Sequence, residues 1–184
     1  MDDEFNEGVR KRMIRQAPQV AARAKLVKFQ NFIPSHWFSS AASECMQMFI
    51  HGHFYGCISV AQAYVEALGK YLSGVHEIRT SSKPTIVWER LSKAEIVSAD
   101  VASGAKSLFL DRNDFHHLNK NIEQDVGKLE QRALYCLNVI NEIEGEVFSF
   151  SLSEGRVSVN NPQYWPPDEN DSEFIQIFVR NIQI

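Results

Sequence analysis

Apolar residues recur at three- and four-residue steps as far as Glu144, then at every second residue after Gly145. The first period is that of helices with one buried face, and the second that of strands with one buried face. Residues 5–28 read as a polar, basic helix or a pair of short helices interrupted at Pro18, because proline removes a backbone donor from a helix interior. Asn31-Phe32-Ile33-Pro34 is a break. Ser35 then suits the N-cap of a helix over 36–52 whose apolar positions are Trp37, Ala41, Cys45, Met48 and Phe49. Gly52 and Gly56 predict a tight turn after it.

The segment from Phe54 to Leu72 is the most apolar. Ile58, Ala61, Val65, Leu68 and Leu72 form one stripe, and Val60, Tyr64, Ala67 and Tyr71 widen it. A helix apolar on most sides belongs in the middle of a bundle, and its one acid, Glu66, needs a partner or a wet edge. A loop over 73–83 precedes Pro84, which suits a helix first turn, and 85–97 and 98–109 read as further short helices. Asn121 with Gln124 resembles a capping box opening a helix to about Glu144, with Val126, Leu129, Ala133, Leu134, Leu137 and Ile140 as its core stripe. Past Gly145, Phe148 to Leu152 and Val157 to Val159 alternate around a turn at Glu154-Gly155, which predicts a hairpin. A loop around Tyr164 and Trp165 leads to a third strand over 174–184. The expected fold is mainly α, a helical bundle over 35–145 with a basic helical segment over 1–34 before it. A small C-terminal antiparallel β appendage, a hairpin plus a third strand, follows over 146–184.

Composition narrows the function classes. The 184 residues carry a net charge of −4, so no global positive field advertises nucleic acid. The charge is unevenly spread. Seven Lys/Arg and no acid lie between Arg10 and Lys28, and eight Asp/Glu against Arg156 and Arg180 lie between Ile140 and Ile184. The basic front end is either a solvated helix face or an attraction for a polyanion. Three cysteines, Cys45, Cys57 and Cys136, lie in helical patterns without metal-ligand spacing and read as reduced core thiols. No apolar run reaches membrane-span length, and the opening Met1-Asp2-Asp3-Glu4 lacks the basic and apolar pattern of a signal peptide, so a cytoplasmic location is expected.

Candidate chemistry concentrates in Arg112-Asn113-Asp114-Phe115-His116-His117. A permanent cation, an amide and an imidazole that titrates near neutrality lie within six residues. Phosphoryl transfer within RNA needs a base for the ribose 2′-hydroxyl, positive partners for the phosphoryl oxygens and an acid for the leaving oxygen. His117 suits proton transfer, Arg112 the phosphate, and Asn113 orientation of either. Arg112 and His117 are five apart and diverge by about 140° on an ideal helix. They converge if the helix starts inside the run, or if two copies meet across a dimer.

Arg-Asn followed by three residues and His resembles the signature of the HEPN superfamily, and the apolar helix from Phe54 to Leu68 resembles that family's long helix upstream of the motif. The resemblance covers residues 35–144. It implies an antiparallel helical bundle that dimerises, with the motif of each subunit lining a shared cleft. It also implies metal-independent cleavage of RNA by 2′-hydroxyl attack, leaving a cyclic phosphate and a free 5′-hydroxyl, as in toxin–antitoxin and phage-defence systems. Arg112, His117 and Asn113 would then be catalytic, with His116, Asp114 and Glu66 as supporting residues. RNA, a second copy and an antitoxin or other regulatory protein are the implied partners, and neither metal nor cofactor is expected.

The alternative is a non-catalytic helical module of the same type that binds a partner protein or a nucleotide. His51-Gly52-His53 offers two metal ligands without a recognisable third, and His36 and His76 fall at helix ends. Trp88 and Trp165 could stack bases, but packing is their simpler role.

Overall fold

The computed structural model describes residues 2–28, 32–33, 36–116, 122–153, 156–165, 167–168, 171–175 and 178–179. The chain is mainly helical. Its helices are α1 (Asp2–Ala24), α2 (His36–Ile50), α3 (Phe54–Val75), α4 (Pro84–Lys93), α5 (Ala99–Ser107), α6 (Arg112–His116) and α7 (Val126–Val147).

α3 is the central element, as its pattern predicts. Ile58, Ala61, Val65, Leu68 and Leu72 are fully buried. Glycine in the left-handed region at Gly52 (φ +82°) turns the chain between α2 and α3, and Met48 of α2 packs over Gly56 of α3, so the two run antiparallel. α5 lies antiparallel to α7, with Ser98 bonded to Glu146 at one end and Ser107 to Tyr135 at the other. α3 and α7 run in the same direction: Cys57 approaches Ala133, and about two turns further along α3 and three along α7 Tyr64 meets Glu144. The long connection through α4, α5 and α6 allows that parallel return. Pro84 opens α4 as expected, and the Ser98 side chain caps α5 by accepting from the Val101 N–H.

Several expectations need correction. α1 runs unbroken through Pro18. Pro18 is solvent-exposed, so the carbonyl orphaned one turn earlier faces water and the cost of the missing donor is reduced. On α2 the buried face is Ala42, Cys45, Met46, Phe49 and Ile50, while Trp37 is 80% exposed. α7 begins later than the Asn121–Gln124 box suggests. Asp125 is its N-cap, accepting from the Lys128 N–H, and Val126 is exposed. The helix then passes through Gly145 to Val147. Ser35, Asn121 and the turn at Glu154-Gly155 lie outside the described residues.

The predicted hairpin is present: β2 (Phe150–Ser153) pairs antiparallel with β3 (Arg156–Val159), Phe150 opposite Val159. Of the third strand expected over 174–184, the described residues show only Phe174–Ile175, at the end of a longer strand, and Phe178–Val179, and neither pairs with the hairpin. The remaining strands form two separate pairs: β4 (Pro167–Asp168) with β5 (Asp171–Ile175), and β1 (Phe32–Ile33) with β6 (Phe178–Val179). β6 therefore returns to the segment between α1 and α2, and among the described residues no strand extends the hairpin. Ile33, Phe148, Tyr164 and Trp165 join the same buried cluster as the helices, so both flanking segments close one core. Trp88, fully buried, packs against Gly69 of α3, a structural role.

All three cysteines are free and buried, from α2, α3 and α7, with Cys45 Sγ 3.6 Å from Cys57 Sγ. The Cys45 hydrogen bond and burial push the Cys57 thiol well above its ordinary value, and burial raises Cys136 to about 12. Neither is a nucleophile at neutral pH. No described helix is long and apolar enough to cross a membrane.

Candidate functional site

Arg112 is the first residue of α6, a short helix reached through a tight turn after α5. Hydrogen bonds from Leu110 N–H to Ser107 O and from Arg112 N–H to Phe109 O form that turn. Three side chains of α3, at Gln62, Glu66 and Lys70, face this corner; their four-residue spacing stacks them on one side of the helix. Arg112 Nη2 lies 2.8 Å from Glu66 Oε2, and Lys70 Nζ lies 2.7 Å from Glu66 Oε1. Glu66 is thus shared by two cations. It is 17% exposed against 34% for Arg112 and 50% for Lys70, so the cations form the outer layer and the carboxylate the inner one.

The residue before Arg112 is fixed more firmly. Arg132 of α7 grips Asp111 with two parallel bonds, Nε to Oδ2 and Nη2 to Oδ1, each 2.9 Å. This fork-to-carboxylate geometry is among the stronger polar contacts in proteins. The same Nη2 donates to Ser107 O at 3.1 Å, and the guanidinium sits 5.4 Å from the Tyr135 ring centroid. Burial, the largest single influence, lowers the Arg132 pKa; the hydrogen bond to Asp111 and the charges of Cys136, Asp111 and Tyr135 together outweigh it, and the guanidinium is pushed up. Gln62, fully buried, donates from Nε2 to Leu108 O at 2.7 Å and to Asp111 Oδ1 at 3.3 Å. Its Oε1 has no partner among the described residues. Gln62 and Arg132 together clamp the turn that presents Arg112.

Of the residues singled out from sequence, the structure brings Arg112 and Glu66 into contact. Asn113 is exposed on α6, Asp114 is half-buried, and the Asp114 N–H donates to Asp111 O. Phe115 is buried, its ring 6.1 Å from that of Tyr55. His116 closes α6, but its side chain lies outside the described residues, as does His117 altogether. Lys70, Gln62, Asp111 and Arg132 were missed by sequence reasoning. The Glu66/Lys70 spacing of four on a helix was a readable signal for one of them. The others depend on contacts across 21 to 49 residues.

The corner carries three carboxylates (Glu66, Asp111, Asp114) and three fixed cations (Lys70, Arg112, Arg132), so its formal charges cancel. Anion binding here would depend on which groups face outward rather than on net charge. His51 and His53 are exposed near the α2–α3 turn, and no group of three metal-ligating side chains occurs among the described residues. Compared with protein-family models, with curated proteins and with solved structures, the chain matches none.

Proposed function

We propose that the chain is a metal-independent endoribonuclease of HEPN type, a toxin or phage-defence effector acting in the cytoplasm as a homodimer. Arg112 holds the scissile phosphate. His117 takes the proton of the ribose 2′-hydroxyl as that oxygen attacks phosphorus. The bond to the 5′-oxygen breaks, and that oxygen takes up a proton, from the partner copy's equivalent imidazole or from water. Asn113 orients the sugar or the phosphate, and His116 and Asp114 support the pair.

The observation that carries this reading is Arg112 at the head of α6, beside Lys70, with both cations outside the carboxylate that holds them. Two cations that already share the two oxygens of one carboxylate can share the oxygens of one phosphate without a metal. The test is cleavage of single-stranded RNA by the purified protein, with Arg112→Ala and His117→Ala alongside. Each variant should lose about 10² or more of the rate, and a chelator should leave the wild-type rate unchanged. Full activity of His117→Ala removes the mechanism.

The Arg112–Glu66 ion pair favours a second reading, a non-catalytic module in which Arg112 serves structure. Glu66→Gln separates the two. Releasing Arg112 should strengthen RNA binding if the cation serves phosphate, and should only lower thermal stability if it serves the bundle.

A further inference from the structure

The apolar face of α1 continues past the point where the bundle covers it. Val20, Ala24 and Val27 pack against the core, and Arg23 fastens this end. Its Nε lies 2.9 Å from Glu130 Oε1 on α7, and its guanidinium sits 5.0 Å from the Phe54 ring centroid. Toward the N-terminus the helix leaves the bundle. Every described side chain from Phe5 to Gln19 is exposed. Yet Phe5, Val9 and Met13, 73%, 43% and 67% exposed, repeat at four-residue steps on the side that Val20 and Ala24 present to the core. A protruding helix of this length is marginal in water without something packed on that stripe.

We infer that the stripe pairs with the same helix of a second copy, antiparallel, about a two-fold axis at Val9. Two independent features of the segment share one centre. The apolar positions 5, 9 and 13 are symmetric about Val9, so the axis sets Val9 on Val9 and Phe5 on Met13 of the partner subunit. The charges divide at the same place: Asp2, Asp3, Glu4 and Glu7 with no base, then Arg10, Lys11, Arg12 and Arg15 with no acid. Antiparallel pairing lays each acidic half beside the other copy's basic half, within about 10 Å, inside the range of electrostatics at moderate salt. A parallel pair would set like on like. The same division argues against a nucleic acid or an anionic membrane along the arm, since either would meet four carboxylates as well as four cations. An isologous contact of this kind is closed by its own symmetry and needs no other partner.

The experiment is cysteine cross-linking of the full chain with diamide as oxidant; the three native thiols are buried and stay silent. Val9→Cys should cross-link to itself at least about tenfold faster than Lys93→Cys on exposed α4, as expected when pairing raises the local concentration. An equimolar mixture of Phe5→Cys and Met13→Cys, one of them tagged, should give mainly the mixed product. Val9→Glu, which sets two carboxylates face to face, should weaken self-association by roughly tenfold or more in sedimentation. Equal rates for Val9→Cys and Lys93→Cys overturn the proposal. So do mainly self-linked products from the mixture, and an unchanged mass distribution for Val9→Glu. Binding of the arm to RNA or to anionic vesicles without self-association overturns it equally. None of these readouts depends on nuclease activity.

Discussion

Breaking the Asp111–Arg132 fork tests whether the turn presenting Arg112 is held from behind. The pair is partly shielded, its side chains 33% and 22% exposed, with both guanidinium–carboxylate distances at 2.9 Å. Two unit charges at about 4 Å attract by roughly 4 kcal/mol at an effective dielectric constant of about 20. Desolvation and the ordering of two long side chains offset much of that, leaving a coupling of about 1–2 kcal/mol. Asp111→Ala should cost somewhat more than the coupling, about 2–3 kcal/mol, since it also removes an acceptor of Gln62 and strands a half-buried guanidinium. For a chain of this size that is a fall of about 4–12 °C in melting temperature. The assay is a double-mutant cycle of Asp111→Ala, Arg132→Ala and both together in urea, followed by fluorescence of the buried Trp88 and Trp165. A coupling below about 0.5 kcal/mol would refute the reasoning: Arg112 would then be placed by backbone and Gln62 alone.

Three further outcomes are expected. Gly69→Ala should destabilise by about 1 kcal/mol or more, because its Cβ would meet the fully buried Trp88 indole at 3.0 Å and Val87 at 3.3 Å. Gly56→Ala, meeting only the flexible end of Met48 at 2.9 Å, should be near neutral as helix propensity offsets the crowding; urea midpoints compare the two. Stability should fall as pH rises above about 9. The unfolded Cys136 thiol loses its proton there while the folded one keeps it to about 12, so the unfolded chain binds fewer protons and about 2 kcal/mol is lost by about pH 10.5. Cys57, Tyr71 and Tyr164 are raised too and act in the same sense, and Cys57→Ala/Cys136→Ala should flatten the alkaline slope. Tyr64→Phe removes a buried 2.6 Å hydrogen bond to fully buried Glu144 and should lower stability by about 1.5–3 kcal/mol in the same urea assay.

Where one local period decided an element, the sequence reading held. The α3 stripe from Ile58 to Leu72 is buried as the pattern implied, and the alternation after Phe148 is a hairpin. Where two faces were similarly apolar, periodicity could not choose. Trp37 read as core on α2, but the buried face is turned toward Ala42, Cys45 and Met46, and the indole is in water. Pro18 misled because the cost of a missing donor depends on solvent access, which local sequence does not encode. The pairing of Phe32 with Val179 had no local signature at all. The candidate site divides the same way. Arg112 and Glu66 could each be named from sequence, one by its motif and the other as the lone acid of an apolar helix. Their contact could not, nor could the hold of Gln62 and Arg132 on Asp111, because each joins segments set by the fold rather than by spacing.

The arm and the motif corner impose different demands on assembly. Glu130, which anchors the base of the arm, and Arg132, which anchors the corner, are two residues apart on α7 and therefore point about 200° apart, to opposite sides of the helix. Arg23 lies fourteen residues beyond Val9, so an axis at Val9 leaves each arm base about 21 Å from it along the helix, on opposite sides of the pair. Two bundles joined only through their arms thus have their bases about 42 Å apart, with the Arg112 corners turned away from the anchoring side. Such a pair cannot by itself assemble a composite site from two Arg112 corners. The proposed nuclease therefore requires a second contact through the α6 face, and a chain using both contacts would build assemblies larger than two. Disrupting Val9 should then reduce the assembly to the dimer joined at the α6 face and spare cleavage, whereas disrupting the α6 face should abolish cleavage and leave the arm cross-link intact.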